Sequence, residues 1–314
     1  MSRALLKRIL PQSLINFARR TLIAIGGCFQ GNVGSAQFWT DNHVDAPVAF
    51  TSAKESLDHL AWRNCLYPGN STLMPVDGAD GKTVLDYGCG PGNDVIGFME
   101  YSKPAKMFAM DVSPTALKLA SARAELHGFD VEFHHIPEAP AHIPLPGDSV
   151  DLVHSAGVIH HTVDPEGVLR EINRVLKPDG TARIMVYHRD SIWMHLFVGY
   201  ETLLIRRLFP GLTKEEAFHR TTDGPHCPIA HCYSAEEFLT LAKKAGLHGR
   251  FVGSAMSVLE LERMSQRWEA LRDKRLDRDS REFLADLTFD ERGYPCHAGR
   301  VAGINGYYEL TRAE

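Results

Sequence analysis

Val84-Leu85-Asp86-Tyr87-Gly88-Cys89-Gly90-Pro91-Gly92-Asn93-Asp94 is the stretch that decides the fold of this chain. Its apolar start predicts a buried strand over residues 82–87, and the residues after the last glycine predict a helix over 94–101. Between them, three alternating glycines allow positive φ angles and let the backbone come close to a ligand. This order of strand, turn and helix is typical of a nucleotide-type site at the carboxyl edge of a parallel sheet.

The segments that follow alternate between short apolar runs and amphipathic stretches, which predicts a parallel α/β sheet. Ser113-Pro114 marks a helix start and Gly128 its end, while Pro178-Asp179-Gly180 predicts a turn. Ser234 and Glu237 form an S-x-x-E capping box. The predicted strands cover residues 82–87, 107–111, 131–135, 150–155, 181–187, 247–252 and 303–311, and the predicted helices cover 94–101, 113–127, 164–176, 234–245 and much of 257–288.

The spacing of the glycines argues against a nicotinamide or flavin site. The dinucleotide pattern G-x-G-x-x-G would require a glycine at position 93, which is Asn93. Asp86 precedes the turn, and a carboxylate there favours a cationic ligand over a pyrophosphate. Asp111 ends the second predicted strand, where a carboxylate can accept both hydroxyls of a ribose.

Four blocks in this order resemble the class I S-adenosylmethionine-dependent methyltransferases, and they cover residues 80–190. The blocks are the glycine turn with Asp111, then residues 143–153, then Gly157-Val158-Ile159-His160-His161-Thr162, then Val175-Leu176-Lys177-Pro178-Asp179-Gly180. The resemblance implies a Rossmann-like, seven-stranded α/β sheet that is mostly parallel, with an antiparallel last strand and helices on both faces. It also implies S-adenosyl-L-methionine as the cofactor and methyl transfer as the activity.

The resemblance places the cofactor on particular residues of this chain. The three glycines would hold the methionyl part, with Asp86 near its ammonium group. Asp111 would bind the ribose and Val112 would cover the adenine. The family often has an acidic residue after the third strand, for which Glu138 is the candidate. The full set of predicted cofactor contacts is Asp86, Gly88, Gly90, Gly92, Asp111, Val112, Glu138, Ser155 and Ala156.

A hydroxyl acceptor would need a base to remove its proton, whereas an amine acceptor depends less on such a base. The candidates for that base are His160, His161 and His188. Acceptor contacts are expected from the segment before the first strand and from an insertion after the fifth strand, where aromatic side chains could either line a pocket or form the insertion's own core. We predict acceptor contacts from Trp39, Tyr67, Tyr187, Trp193 and His226.

Sixteen histidines and six cysteines among 314 residues raise the question of a metal. The densest cluster, His226-Cys227-Pro228-Ile229-Ala230-His231-Cys232, could be a ligand set, a substrate contact or a plain loop. No second ligand pair follows it, and we predict no metal. Scattered cysteines predict a cytoplasmic protein without a disulfide framework.

Composition excludes several classes of protein. With 44% hydrophobic and 23% charged residues, the chain is neither disordered nor a coiled coil, and its net charge of −5 gives no basic signature for nucleic acid. We therefore expect a small-molecule acceptor. The basic residues 1–30 could touch anionic lipid or pack on the domain, so a lipid-linked or glycan acceptor stays as an alternative. A non-catalytic cofactor-binding protein is a separate alternative, which the intact glycine turn and Asp111 disfavour.

The predicted organisation is a helical arm or lid over residues 1–79 and a methyltransferase domain over 80–314. Within that domain, residues 191–232 are predicted to form a cap insertion and 257–288 a helical insertion. The oligomeric state is not predicted.

Overall fold

The computed structural model describes residues 34–42 and 49–313. The basic arm predicted to contact lipid or the domain surface, residues 1–30, lies outside the described residues. Within the described part, no helix is both long and apolar enough to cross a membrane.

A seven-stranded sheet forms the centre of the molecule, in the order β3-β2-β1-β4-β5-β10-β6. β1 to β5 are mutually parallel, and β10 runs antiparallel to both β5 and β6. This confirms the Rossmann-like α/β sheet with an antiparallel last strand. The strands are β1 Thr83–Tyr87, β2 Lys106–Asp111, β3 Glu132–His135, β4 Val150–Ala156, β5 Leu176–Tyr187, β6 Leu247–Ala255 and β10 Asn305–Arg312.

Helices cover both faces of this sheet, and their ends follow the predicted capping signals. Ser113 accepts a hydrogen bond from the amide of Ala116, and Gly128 ends the same helix in the left-handed conformation. The Ser234 capping box is also present. The helices are α1 Ser35–Asp41, α2 Ala53–Leu66, α3 Asn70–Leu73, α4 Asn93–Tyr101, α5 Pro114–His127, α6 Pro165–Val175, α7 Lys214–Thr221, α8 Ala235–Lys244, α9 Val258–Arg263, α10 Arg267–Arg272 and α11 Arg278–Ala285.

The turn at residues 178–180 was predicted to precede β5. In the structure it lies within β5, where the pairing with β4 is irregular. Val150 of β4 pairs with Leu176, whereas Leu152 pairs with Thr181, so the intervening residues of β5 have no partner in β4. Leu176 is fully buried, which anchors the early start of the strand. The prediction placed the strand start too late because the turn residues interrupt its apolar pattern.

Two mainly helical segments lie outside the alternation of strands and helices in the central sheet. Trp193–Ile205 forms a π-helix whose first ten residues are all buried, and α7 packs beside it. Residues 257–288 contain α9, α10 and α11, as the helical prediction required. A second, three-stranded sheet was not predicted, because strands of two or three residues have no readable alternation. It consists of β7 Thr288–Phe289, β8 Pro295–His297 and β9 Arg300–Val301.

Candidate active site

A cavity of about 310 Å³ lies at the carboxyl ends of the parallel strands. Its walls come from the glycine turn after β1, the ends of β2, β4 and β5, and the first residue of the π-helix. Residues of α1 and α2 also contribute. The volume is in the range of small-molecule sites, and the position matches the edge at which ligands bind in open α/β sheets.

The three glycines of the turn have different roles. All have positive φ, at 78° for Gly88, 52° for Gly90 and 84° for Gly92. A Cβ at Gly88 would meet Val158 at 2.3 Å, and one at Gly92 would meet Ala120 at 3.1 Å. A Cβ at Gly90 would meet nothing within 4 Å, because this residue borders the cavity. Gly88 and Gly92 therefore permit packing, and Gly90 keeps ligand space open.

Asp111 connects the glycine turn to β2. Its carboxylate accepts hydrogen bonds from the amide of Gly90 and from that of Ser113, each at 2.8 Å. The side chain lines the cavity, and burial raises the pKa of Asp111 above its usual range. Each carboxylate oxygen retains a lone pair for a ligand hydroxyl.

Asp86 lies under the turn among charged side chains that sequence reasoning missed. Burial raises the pKa of Asp86 to about 7. Asp94, at the start of α4, forms an ion pair with Arg63 of α2, and His154 of β4 lies 3.2 Å from the same carboxylate. Burial opposes the ionisation of Asp94, but Arg63 and His154 lower its pKa overall. These partners come from distant segments, so no local motif could reveal them.

The other predicted cofactor residues divide between the cavity wall and its support. Val112 and Ala156 line the cavity, whereas Gly92 and Ser155 do not. The Ser155 hydroxyl donates to the carbonyl of Tyr87 at 3.0 Å. Glu138 lines the cavity, and its carboxylate accepts from the first amides of α1, at 3.1 Å from Ser35 N and 3.2 Å from Ala36 N. These contacts hold α1 at the cavity, and an adenine contact by Glu138 stays a prediction.

Of the three candidate bases, His161 is the one in the cavity wall. His160 is fully buried, and its Nδ1 accepts from the amide of Tyr187 at 3.3 Å. His188 is also buried and packs on Phe251. The roles of all three stay predictions, but only His161 has direct access to a cavity ligand.

The predicted acceptor contacts meet at the same cavity, with one exception. Trp39, Tyr67, Tyr187 and Trp193 line it, and the Trp39 ring packs on His161 with centroids 4.7 Å apart. His226 is exposed and outside the wall. Asp223 lines the cavity but carries no motif, so sequence reasoning overlooked it.

The comparisons with known proteins agree with this geometry. A family model described as a methyltransferase domain matches residues 79–246, which is more than half of the chain. The chain belongs to the class I S-adenosylmethionine-dependent methyltransferases.

Several curated proteins are similar to this chain over part of their length. A 2-methyl-6-phytyl-1,4-hydroquinone methyltransferase of Oryza sativa is 30% identical over 117 residues, covering 37% of this chain and 34% of that protein. A ubiquinone biosynthesis O-methyltransferase of Pseudomonas paraeruginosa is 27% identical over 128 residues, covering 40% of this chain and 54% of that protein. The chain thus spans between a third and just over half of the length of these relatives.

A solved structure shows the same fold over most of the chain. It is a chain from the complex between the Haloferax volcanii Trm112 methyltransferase activator and a methyltransferase. The TM-score is 0.51 at 18% identity, with 90% of this chain and 99% of that chain covered.

The residues of the cavity fit the family's cofactor, S-adenosylmethionine. Gly90 leaves open a space that any side chain would fill, and the lone pairs of Asp111 suit a ribose diol. Asp86 gives the same cavity a carboxylate for an ammonium group.

His161, Asp223 and Cys227 are close enough to raise the question of a metal site. Cys227 Sγ lies 3.9 Å from Nδ1 of His161, whereas Asp223 Oδ2 lies 3.7 Å from Nε2. The cysteine and the carboxylate therefore approach different nitrogens of one ring. Nδ1 also faces the carbonyl of Ile229 at 2.6 Å. This arrangement does not suit a single ion bound by all three residues.

Proposed function

We propose that this chain transfers a methyl group from S-adenosylmethionine to an oxygen or nitrogen atom of a small molecule bound in the cavity. The observation that carries the proposal is the meeting of Gly90, Asp86 and Asp111 with His161 and Tyr187 in one cavity. The first three residues suit the cofactor, and the last two offer polar groups to an acceptor. The relatives named for hydroquinone methylation and for ubiquinone biosynthesis support a small acceptor.

When bound, the cofactor supplies an electrophilic methyl group. The chain's own residues position the partners and exclude water. Asp111 would hold the ribose hydroxyls while keeping the Gly90 amide in place. Glu138 keeps α1 over the cavity through two backbone amides, and the hydroxyl of Ser35 donates to the carbonyl of His161 at 3.3 Å. Trp39 of α1 thereby covers the side on which an acceptor would lie.

Calorimetric titration with S-adenosylhomocysteine tests the cofactor site. Asp111→Asn should weaken binding at least about tenfold, because it replaces charge-assisted hydrogen bonds to ligand hydroxyls with neutral ones. Asp286→Asn, at an exposed position, is the matched control and should bind like wild type. Absence of binding by wild type, or equal affinity in Asp111→Asn, would contradict the assignment.

A further inference from the structure

The cavity wall carries two hydrogen-bond acceptors that face each other. His161 ends the short 3₁₀ turn Ile159–His161 after β4, and Asp223 follows α7 in the cap insertion. Nε2 of His161 and Oδ2 of Asp223 are 3.7 Å apart, and both side chains line the cavity. Their side chains are 6% and 11% exposed, so bulk water has little access to the gap between them.

The tautomer of His161 follows from its other nitrogen. Nδ1 lies 2.6 Å from the carbonyl oxygen of Ile229, which can only accept. Nδ1 therefore carries the ring proton, and Nε2 carries a lone pair. A carboxylate oxygen and an imidazole lone pair at this distance lack a proton between them. A ligand hydroxyl between the two acceptors could donate its hydrogen bond to both of them.

Asp223 is oriented independently of that ligand. The hydroxyl of Tyr187, at the end of β5, lies 3.0 Å from Oδ1 and 3.1 Å from Oδ2 of Asp223 and donates its proton to the carboxylate. The Tyr187 ring packs on His160, with centroids 3.8 Å apart, and Trp39 covers His161. Aromatic rings thus hold both acceptors in place and surround the space where a ligand would donate its proton.

We propose that His161 and Asp223 form a proton-accepting pair for the hydroxyl of a phenol-type acceptor, with Tyr187 positioning Asp223. This rests on the proposed function and names its substrate class. In the reaction, the acceptor O–H bond breaks and its proton passes to Nε2 of His161. The oxygen forms a bond to the methyl carbon, and the electron pair of the broken carbon–sulfur bond goes to sulfur. Asp223 stabilises the imidazolium that results.

The aromatic side chains of Trp39, Tyr187 and Trp193 line the cavity beside His161 and favour a planar aromatic acceptor. The burial of His161 in addition favours an acidic hydroxyl over an alcohol. Burial lowers the pKa of His161, while Asp223 partly opposes this shift. A weak base matches a phenol, whose pKa is about 10, better than an aliphatic hydroxyl with a pKa nearer that of water, about 15.7. The other titratable groups near His161 are His160, Tyr187, His219, Cys227 and His231.

Nitrogen-15 NMR of histidine-labelled protein saturated with S-adenosylhomocysteine tests the pair without any acceptor. We expect His161 to be the Nδ1–H tautomer. Asp223→Asn should lower its pKa by about one unit, because removing the carboxylate removes stabilisation of the imidazolium. The matched control Asp286→Asn should leave that pKa unchanged. An Nε2–H tautomer, or a His161 pKa indifferent to Asp223, overturns the pair.

Turnover tests the substrate class, with formation of S-adenosylhomocysteine measured for phenol, catechol, aniline, benzylamine and benzyl alcohol. The phenols should be preferred. His161→Gln should reduce the kcat for phenols about a hundredfold. Asp223→Asn should reduce it about tenfold and shift the acidic limb of the pH–kcat profile to lower pH, because the pKa of His161 falls. Both variants should bind S-adenosylhomocysteine like wild type, as should the exposed control His248→Gln.

The outcomes separate the two proposals. Preference for the amines or the alcohol, no turnover of either phenol, or unchanged kcat in both variants overturns the phenol-type pair. Loss of phenol turnover on chelation with recovery on adding Zn²⁺ would also overturn it, in favour of metal binding. Failure of wild type to bind S-adenosylhomocysteine overturns the proposed function instead.

Discussion

Gly90 and Gly128 share a left-handed backbone but differ in surroundings. Their φ angles are 52° and 70°, and a Cβ at either would meet nothing within 4 Å. Gly90 borders the cavity, whereas Gly128 ends α5 outside it. Replacing either with alanine should cost about 1 kcal/mol of stability, because non-glycine residues are strained in this region. Only Gly90→Ala should also weaken S-adenosylhomocysteine binding, since its methyl group occupies ligand space.

Thermal unfolding and calorimetric titration of the two variants make this comparison. Equal affinities in Gly90→Ala and Gly128→Ala would show that the ligand lies elsewhere. A loss of affinity in both would indicate that backbone strain, rather than occupied space, is responsible.

We expect the affinity for the cofactor to depend on pH through the protonation of Asp86. Burial raises its pKa to about 7, so the free protein holds a proton there at lower pH. A nearby ammonium group favours the ionised form, so binding must release that proton. Affinity for S-adenosylhomocysteine should therefore fall by up to about tenfold per pH unit below about pH 7 and level off above it. Titrations in buffers of different ionisation enthalpy measure the proton release.

Asp86→Asn is the control for this pH dependence. It should bind more weakly at pH 8 and show an affinity that no longer changes between about pH 6 and 8. An equally steep dependence in this variant would assign the proton to another group.

At the scale of elements, Arg123 of α5 joins helix α2 to the start of α4. It is 2% exposed and donates to the hydroxyl of Ser56 at 2.6 Å, to the carbonyl of Ser56 at 2.8 Å and to Oδ1 of Asn93 at 2.7 Å. Arg123→Met should cost about 3 kcal/mol, because it keeps the apolar stem but leaves these acceptors without their donor. Amide exchange in residues 53–66 should become faster.

Ser56→Ala is the matched smaller change. It removes the hydroxyl that Arg123 and His127 both contact and leaves the carbonyl contact, so we expect a cost of about 1 kcal/mol. Urea unfolding measures both variants. A cost for Arg123→Met no greater than that for Ser56→Ala would mean that the guanidinium does not hold α2 in place.

At the scale of the whole molecule, the features that could be predicted are those formed by residues close together in the chain. The glycine turn and Asp111 could be placed because strand, turn and acid are close in the chain, and the end of α5 because Ser113 and Gly128 are capping signals. Asp223 and Arg63 could not, since each acts through residues from distant segments. The π-helix was equally hidden, because a buried run of apolar residues does not reveal its hydrogen-bond period.

Glu260 of α9 joins the helical insertion, residues 257–288, to the rest of the molecule. Replacing Glu260 tests whether this insertion and the central sheet unfold together. This fully buried carboxylate accepts from the amides of Ser257 at 2.7 Å, Trp193 at 3.2 Å and Ile304 at 3.0 Å. It thus connects α9 with the start of the π-helix and the entry to β10. Glu260→Ala should cost about 3 kcal/mol or more, because these buried amides lose their acceptor.

Glu260→Gln should cost less, because its amide oxygen still accepts at one of the two positions. Glu282→Ala, at a surface ion pair with Arg278, should cost under about 0.5 kcal/mol and serves as the control. Urea unfolding followed by tryptophan fluorescence and by circular dichroism should give one shared transition in every variant, because the buried cluster that includes Leu196, Met256, Phe283 and Ala302 still packs the insertion against the ends of the sheet. If Glu260→Ala instead separates the two signals, the insertion unfolds independently of the sheet.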